Sequence, residues 1–203
     1  MEIRLENLGK KFINTWIFKD LNYHFEANKT YAITGRNGSG KSTLASVISG
    51  VLSPNAGLVN YQHDKTPVPV EDIFRYLSFA APYIELVEEF SLEEFLLFHT
   101  SFKPFEEISI KGFIELLNLK SSSEKQLKYF SSGMKQRVKL GISFYSRSSF
   151  IILDEPTTNL DVSGIEWYHR EMEKIIRTKL ILICSNQQNE YNFCDEILNL
   201  DNF

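Results

Sequence analysis

The segment Gly35-Arg36-Asn37-Gly38-Ser39-Gly40-Lys41-Ser42-Thr43 constrains this chain more than any other. It fits the pattern G-x-x-x-x-G-K-[ST] and lies between a strand-like run, Thr30-Tyr31-Ala32-Ile33-Thr34, and a helical pattern that begins at Lys41. Glycines let a backbone turn tightly enough to aim successive N–H groups at phosphate oxygens, and the start of a helix adds its positive dipole end. The Lys41 ammonium can reach the β- and γ-phosphates of a nucleoside triphosphate, and the Ser42 hydroxyl is a hard oxygen ligand suited to Mg2+. Asn37, Gly38, Ser39, Gly40, Lys41, Ser42 and Thr43 are therefore the expected nucleotide-binding residues. A glycine-rich surface turn with a solvated lysine is the competing reading, and the length, flanks and order of the motif disfavour it.

Far downstream, Phe150-Ile151-Ile152-Leu153-Asp154-Glu155-Pro156 places two carboxylates just past an apolar run of the kind found in central parallel strands. Asp154 there can hold Mg2+ and its water ligands. Glu155 faces the attacking water as general base, a role worth roughly 10²- to 10⁴-fold in rate. Leu180-Ile181-Leu182-Ile183 is a second buried run of this type. In open parallel sheets ligands sit outside the carboxyl ends of the strands, so Gly35, Asp154 and Ser185 with Asn186 are expected to converge on one edge.

Strand-like runs alternating with helical patterns predict an α/β fold, and 203 residues suit a single domain, 1–203. From approximately 82 to 146 the pattern turns helical, including Ser91 to Phe98, which opens as an N-cap followed by carboxylates. The N-terminal segment and Gly57 to Asp64 read as short strands around turns, a small β-rich layer. A net charge of −4 weighs against a nucleic-acid partner. No apolar run approaches the ~20 residues of a membrane span, and the start lacks a secretory pattern. Cys184 and Cys194 have no metal-ligand spacing and read as reduced thiols.

Phe130-Ser131-Ser132-Gly133-Met134-Lys135-Gln136-Arg137 resembles the LSGGQ-type signature of ABC ATPases, and Thr158-Asn159-Leu160-Asp161 resembles that family's D-loop. With the phosphate loop and the acidic strand, the resemblance covers the chain from first strand to last. It implies a P-loop NTPase (RecA-like) core with an antiparallel β-subdomain and an inserted helical subdomain. It also implies a head-to-tail dimer, with itself or a paralogue, in which Ser131, Ser132 and Gly133 of one subunit complete the other's site. Two hydroxyls and a glycine at a helix start form an anion site on physical grounds as well. Phe12 matches the position where the family stacks a ring on adenine; Trp16 is its rival, and core packing is the alternative for either ring.

The chain departs from the family at two points. Where a glutamine is usual, Ser78-Phe79-Ala80-Ala81-Pro82-Tyr83 offers Ala81 or Pro82, and where a histidine is usual, Asn186 stands. An amide still donates a hydrogen bond but carries no charge, which roughly halves the strength of a contact to phosphate. Slow hydrolysis is the expectation. The resemblance implies an ATP-hydrolysing subunit that powers a separate membrane-spanning transporter partner, cytoplasmic and peripheral on the inner face of the cell membrane. Phe79 to Glu89 is the candidate docking surface, with local core packing as its alternative. A soluble ABC-type ATPase without a membrane partner and a non-hydrolysing nucleotide switch are the competing functions.

Overall fold

A computed structural model describes all residues, Met1–Phe203. Strand β1 (Glu2–Phe12) and strand β2 (Thr15–Phe25) form an antiparallel hairpin that opens the chain. Strand β3 (Thr30–Thr34) leads through the glycine-rich loop into helix α1 (Lys41–Ile48). Strands β4 (Ala56–His63) and β5 (Thr66–Val68) extend the hairpin into a four-stranded sheet of order β2-β1-β4-β5. Strand β6 (Leu77–Ala80) then begins the edge of a second sheet. Four helices follow or flank it: α2 (Leu92–Phe102), α3 (Ile110–Leu116), α4 (Ser132–Tyr145) and, after strand β7 (Phe150–Asp154), α5 (Val162–Ile175). Strand β8 (Leu180–Cys184), the short helix α6 (Gln188–Tyr191) and strand β9 (Glu196–Asn199) complete the chain.

These elements form two compact units, residues 1–79 with 148–155 and 176–203, and residues 80–147 with 156–175. In the first unit the five-stranded sheet has the order β6-β7-β8-β3-β9, with β7, β8, β3 and β9 parallel. Every residue of β7 and β8 is buried, which is why both read as unbroken apolar runs rather than alternating ones. One core joins this sheet and α1 to the antiparallel sheet, with Phe18, Leu21 and Phe25 meeting Tyr31, Leu44, Ile48 and Phe150. The Tyr61 hydroxyl, on β4, donates to the Ile48 carbonyl at 2.9 Å and ties that sheet to the end of α1.

The N-terminal strands are longer than their pattern suggests. Alternation runs Ile3, Leu5 and then jumps to Leu8, while β2 buries Phe18 and Leu21 at a spacing of three. Register shifts between Leu5 and Leu8 and between Leu8 and Lys10 account for both, with Asn7 and Asp20 at φ 49° and 54°. A bulge inserts one residue and flips the pattern, so one long strand reads as two short ones.

In the second unit α2 starts with a reciprocal cap: the Glu94 N–H donates to Ser91 Oγ at 3.2 Å, and the Ser91 N–H donates to Glu94 Oε2 at 2.7 Å. Helices α3 and α4 approach closely at Gly141, where a Cβ would meet Leu117 at 2.7 Å and Phe113 at 2.9 Å. Between α4 and α5 the Glu171 carboxylate, 2% exposed, accepts from the Tyr145 hydroxyl at 2.6 Å and from Lys174 Nζ at 2.7 Å. The expected helical segment 82–146 falls inside this unit, which also takes in α5.

Gly57 shows how tightly the bulge is built. Its φ is +67°, and a Cβ there would lie 2.2 Å from the Glu6 carbonyl oxygen and 2.3 Å from that of Asn7, both backbone atoms. Gly57→Ala is expected to destabilise the chain by on the order of 3 kcal/mol. Urea unfolding measures it, and a loss below about 1 kcal/mol would show that the bulge relaxes.

Candidate functional site

The parallel pairing brings three strand ends together. Asp154 pairs with Cys184 across β7 and β8, and Ile33 pairs with Cys184 across β8 and β3. The pairing continues past the strands, because the Glu155 N–H donates to the Cys184 carbonyl at 2.9 Å and the Ser185 N–H to the Ile33 carbonyl at 3.1 Å. The loop from Gly35, the acidic pair and Ser185 with Asn186 therefore leave the sheet at one edge.

The loop itself is shaped by glycine. Gly35, Gly38 and Gly40 have φ values of 141°, 83° and 99°, in the region that L side chains rarely adopt. A Cβ on Gly40 would come 2.3 Å from Ile17 Cγ2, whereas Gly38 faces open space. The Lys41 ammonium lies within the loop, donating to the Gly35 carbonyl at 2.8 Å and the Arg36 carbonyl at 3.2 Å, and the residue is 7% exposed. A cavity of about 240 Å³ opens here, lined by Ile17, Asn37, Gly38, Gly40, Lys41, Ser42, Thr43 and Glu155. The Ser39 hydroxyl is buried in the loop without a hydrogen-bond partner. A lysine, a helix start and a hydroxyl around one cavity suit phosphate chemistry.

Asp154 is 1% exposed at the end of β7, while Glu155 is exposed at φ 44°. A non-glycine residue in the left-handed region costs on the order of 1 kcal/mol and turns the chain sharply away from the strand. One buried carboxylate with the Ser42 hydroxyl is the sparse hard-oxygen set that suits magnesium, an ion held by one or two protein oxygens with waters and substrate phosphates. Asn186 is also at this edge, its Nδ2 donating to Asn37 Oδ1 at 2.7 Å across the loop. Cys184 is fully buried beneath, its Sγ 3.7 Å from the Lys41 carbonyl, and burial, then Asp154, pushes its thiol well above the usual range.

Phe12 and Trp16 sit together at the tip of the first hairpin, 49% and 39% exposed. Neither lines the cavity. Phe12 has Lys10 over its ring, and Trp16 lies between Lys11 and Lys19 against Gly9. Ile17, on the same strand, is the apolar residue at the loop. The pattern of β2 gave no sign of it.

In the second unit Ser131 caps α4, accepting the Met134 N–H at 3.2 Å, and Ser132 and Gly133 form its first turn. A Cβ on Gly133 would stand 2.8 Å from the Asn159 carbonyl, so the turn Thr158–Asp161 packs directly on the start of α4. Asp161 caps α5: its Oδ1 accepts the Gly164 N–H at 2.8 Å and the Ser163 hydroxyl at 3.0 Å, with Arg137 at 3.4 Å. The Gly164 bond first, then Ser163, holds its carboxyl below the usual range. Gln136, 2% exposed, donates to the Pro156 carbonyl at 2.9 Å. Lys139 Nζ donates to the Pro82 carbonyl at 2.8 Å and to that of Ala81 at 3.4 Å, holding the stretch where the glutamine is missing. Gln136, Arg137 and Lys139 are contacts that composition and periodicity could not single out.

The candidate docking stretch is mixed. Phe79 packs against the core of the first unit and Ala80 and Ala81 are buried, whereas Tyr83 is 56% exposed and Val87 41%.

A doubly layered α/β core with this loop and acidic strand defines the class as a P-loop nucleoside triphosphatase. The sequence profile of the ABC transporter family matches residues 18–158. The chain belongs to the ABC transporter family. It is 30% identical over 185 residues to the cytochrome c biogenesis ATP-binding export protein CcmA of Brucella abortus, covering 91% of this chain and 85% of that one. Among solved structures, an ABC transporter ATP-binding protein from Pyrococcus furiosus superposes with a TM-score of 0.83 at 20% identity, covering 100% and 99% of the two chains. The dimeric bacterial cassette MJ0796 superposes with a TM-score of 0.82 at 21% identity, covering 97% and 93%. Both share this fold.

Alanine at a helical glycine normally gains up to about 1 kcal/mol. Gly112→Ala, in α3, would meet only side-chain atoms, at 3.3 Å or more, and is expected to cost less than Gly133→Ala. Gly133→Ala must push the Asn159 carbonyl aside and is expected to lower the thermal midpoint. Equal midpoints for the two variants would show that the turn at Asn159 gives way freely.

Proposed function

We propose that the chain is an ATP-binding, ATP-hydrolysing subunit that drives a separate membrane-spanning transporter partner. The observation that carries this reading is the shared cavity of the phosphate loop and Glu155, beside buried Asp154. Asn37 to Thr43 bind the phosphates through backbone N–H groups, and Lys41 exchanges its two loop carbonyls for β- and γ-oxygens. Ser42 and Asp154 would hold Mg2+, which would neutralise charge on the transferred phosphate. Glu155 orients the attacking water and takes its proton. Asn186 donates an uncharged hydrogen bond near the γ-phosphate, and Phe12, exposed at the hairpin tip outside the cavity, is the ring to which the family resemblance assigns the adenine.

In this reading the chain works as a head-to-tail pair, with itself or a paralogue, in which Ser131, Ser132 and Gly133 act across the interface; that a solved cassette of the same fold is dimeric supports the pairing. The relative from Brucella is named an export protein, and no helix here is long and apolar enough to cross a membrane. In this reading a separate membrane subunit supplies the pathway, and this chain sits at the inner face of the membrane through it. Leu97, Phe98 and Phe102 of α2 are 56%, 48% and 77% exposed, and they are apolar residues such a partner would cover.

Purified protein with Mg-ATP is expected to release phosphate at least ~10²-fold faster than Glu155→Gln. Equal rates would leave a nucleotide switch. Because no titrating group stands at Asn186, Asn186→His is expected to raise the rate several-fold. A protonated imidazole supplies the missing charge, so the gain should be larger at pH 6 than at pH 8, fading as pH rises through about 6.5. A gain independent of pH would remove charge from the explanation.

A further inference from the structure

The turn after β9 reaches the phosphate loop. Strand β9 runs parallel to β3 with Asn199 opposite Thr34, so the segments that follow the two strands emerge side by side. The chain then makes a 3-10 turn over Leu200–Asn202, in which the Asp201 N–H donates to Asn199 Oδ1 at 2.9 Å. This sets the Asp201 carboxylate against the loop. It accepts the backbone N–H of Arg36 at 3.1 Å and 3.3 Å, one contact for each oxygen, and the Arg36 Nε–H at 3.3 Å.

The N–H of Arg36 and the C=O of Gly35 belong to one peptide group. That carbonyl is the acceptor of the 2.8 Å bond from Lys41 Nζ. The peptide thus lies between a carboxylate at its N–H end and an ammonium at its C=O end, with its dipole aligned to both. Gly35, at φ 141°, lends this peptide little steric resistance to rotation, so its orientation depends on the groups that hold it. Asp201 would otherwise repel phosphate, but the Arg36 guanidinium balances its charge at the same place.

We propose that Asp201 is a positioning residue for nucleotide binding, which fixes the Gly35–Arg36 peptide and so presets the loop and the seat of Lys41. The inference rests on the reading of this loop as the ATP site. Loss of the carboxylate frees the peptide to rotate, which costs the loop its preorganisation before any phosphate arrives.

The test uses the full chain titrated with a fluorescent N-methylanthraniloyl ATP, comparing wild type, Asp201→Ala, Asp201→Asn and Lys41→Ala. Asp201→Ala is expected to weaken binding about 5- to 10-fold, as loss of a charge-assisted hydrogen bond would. KM should rise in parallel while kcat stays within about twofold, the pattern of lost uniform binding. Asp201→Asn keeps an oxygen for the Arg36 N–H and should recover most of the affinity. Amide hydrogen exchange at Arg36 should be faster in Asp201→Ala. Unchanged affinity in Asp201→Ala, with binding lost in Lys41→Ala, would overturn this role alone. So would a fall in kcat and thermal midpoint that Asn does not restore, which marks a purely structural residue. A wild-type chain that fails to bind the probe would overturn the reading of the loop itself, and this role with it.

Discussion

The parallel hydrogen bonding of β3, β8 and β7 is the constraint on which the site depends. A parallel ladder fixes which residues end level with one another, and here Ile33, Cys184 and Asp154 share one level. Whatever follows those residues is delivered to the same edge whatever its distance along the chain. The three strands are buried on both faces, so a slip of register would also unseat the core, and chemistry and stability are locked to one arrangement. The acidic pair gains a further restraint from the Glu155 N–H, which prolongs the ladder by one bond before the chain turns at φ 44°. That turn separates two adjacent carboxylates into different environments, Asp154 buried and Glu155 exposed beside the cavity.

The glycine-rich loop is held in large part by hydrogen bonds from one buried cation to its own carbonyls. Lys41 is nearly buried, and a buried ammonium needs partners; it finds them in the Gly35 and Arg36 carbonyls. Those same interactions orient the loop, so the cation that would meet phosphate also maintains the cradle that receives it. In the proposed reading an entering phosphate would compete with two carbonyls already in place. An oxyanion would win that competition by offering the ammonium a full opposite charge where the carbonyls offer only dipoles.

The strands that build the site were legible because their apolar runs need no alternation, and the loop because its glycines have no other use in so short a span. The first hairpin was less legible. The bulges at Asn7 and Asp20 break the two-residue period, and nothing in the local composition announces an inserted residue. Contacts made by ordinary side chains were beyond reach for a different reason. Ile17, Gln136 and Lys139 act through the backbone or cavity they meet, and a sequence does not say which distant backbone a given side chain will face. The Asn37–Asn186 bond belongs to both kinds: each residue was placed at the site, but their pairing follows from the strand register.

The second unit puts its departures from the family pattern in physical context. A glutamine in a loop acts through its side-chain amide, which moves with the loop. At Ala81 and Pro82 no side chain can do this, and instead Lys139 reaches from α4 to the backbone carbonyls of both residues. Burial, followed by the nearby Lys135, lowers the pKa of Lys139 below its ordinary value, against an opposing contribution from the Glu85 carboxylate. The same helix carries Ser131 at its start and Gln136 on the Pro156 carbonyl, while Arg137 reaches the cap of α5. One helix thus holds the stretch where the glutamine is missing, the residue after the acidic pair and the turn at Asp161.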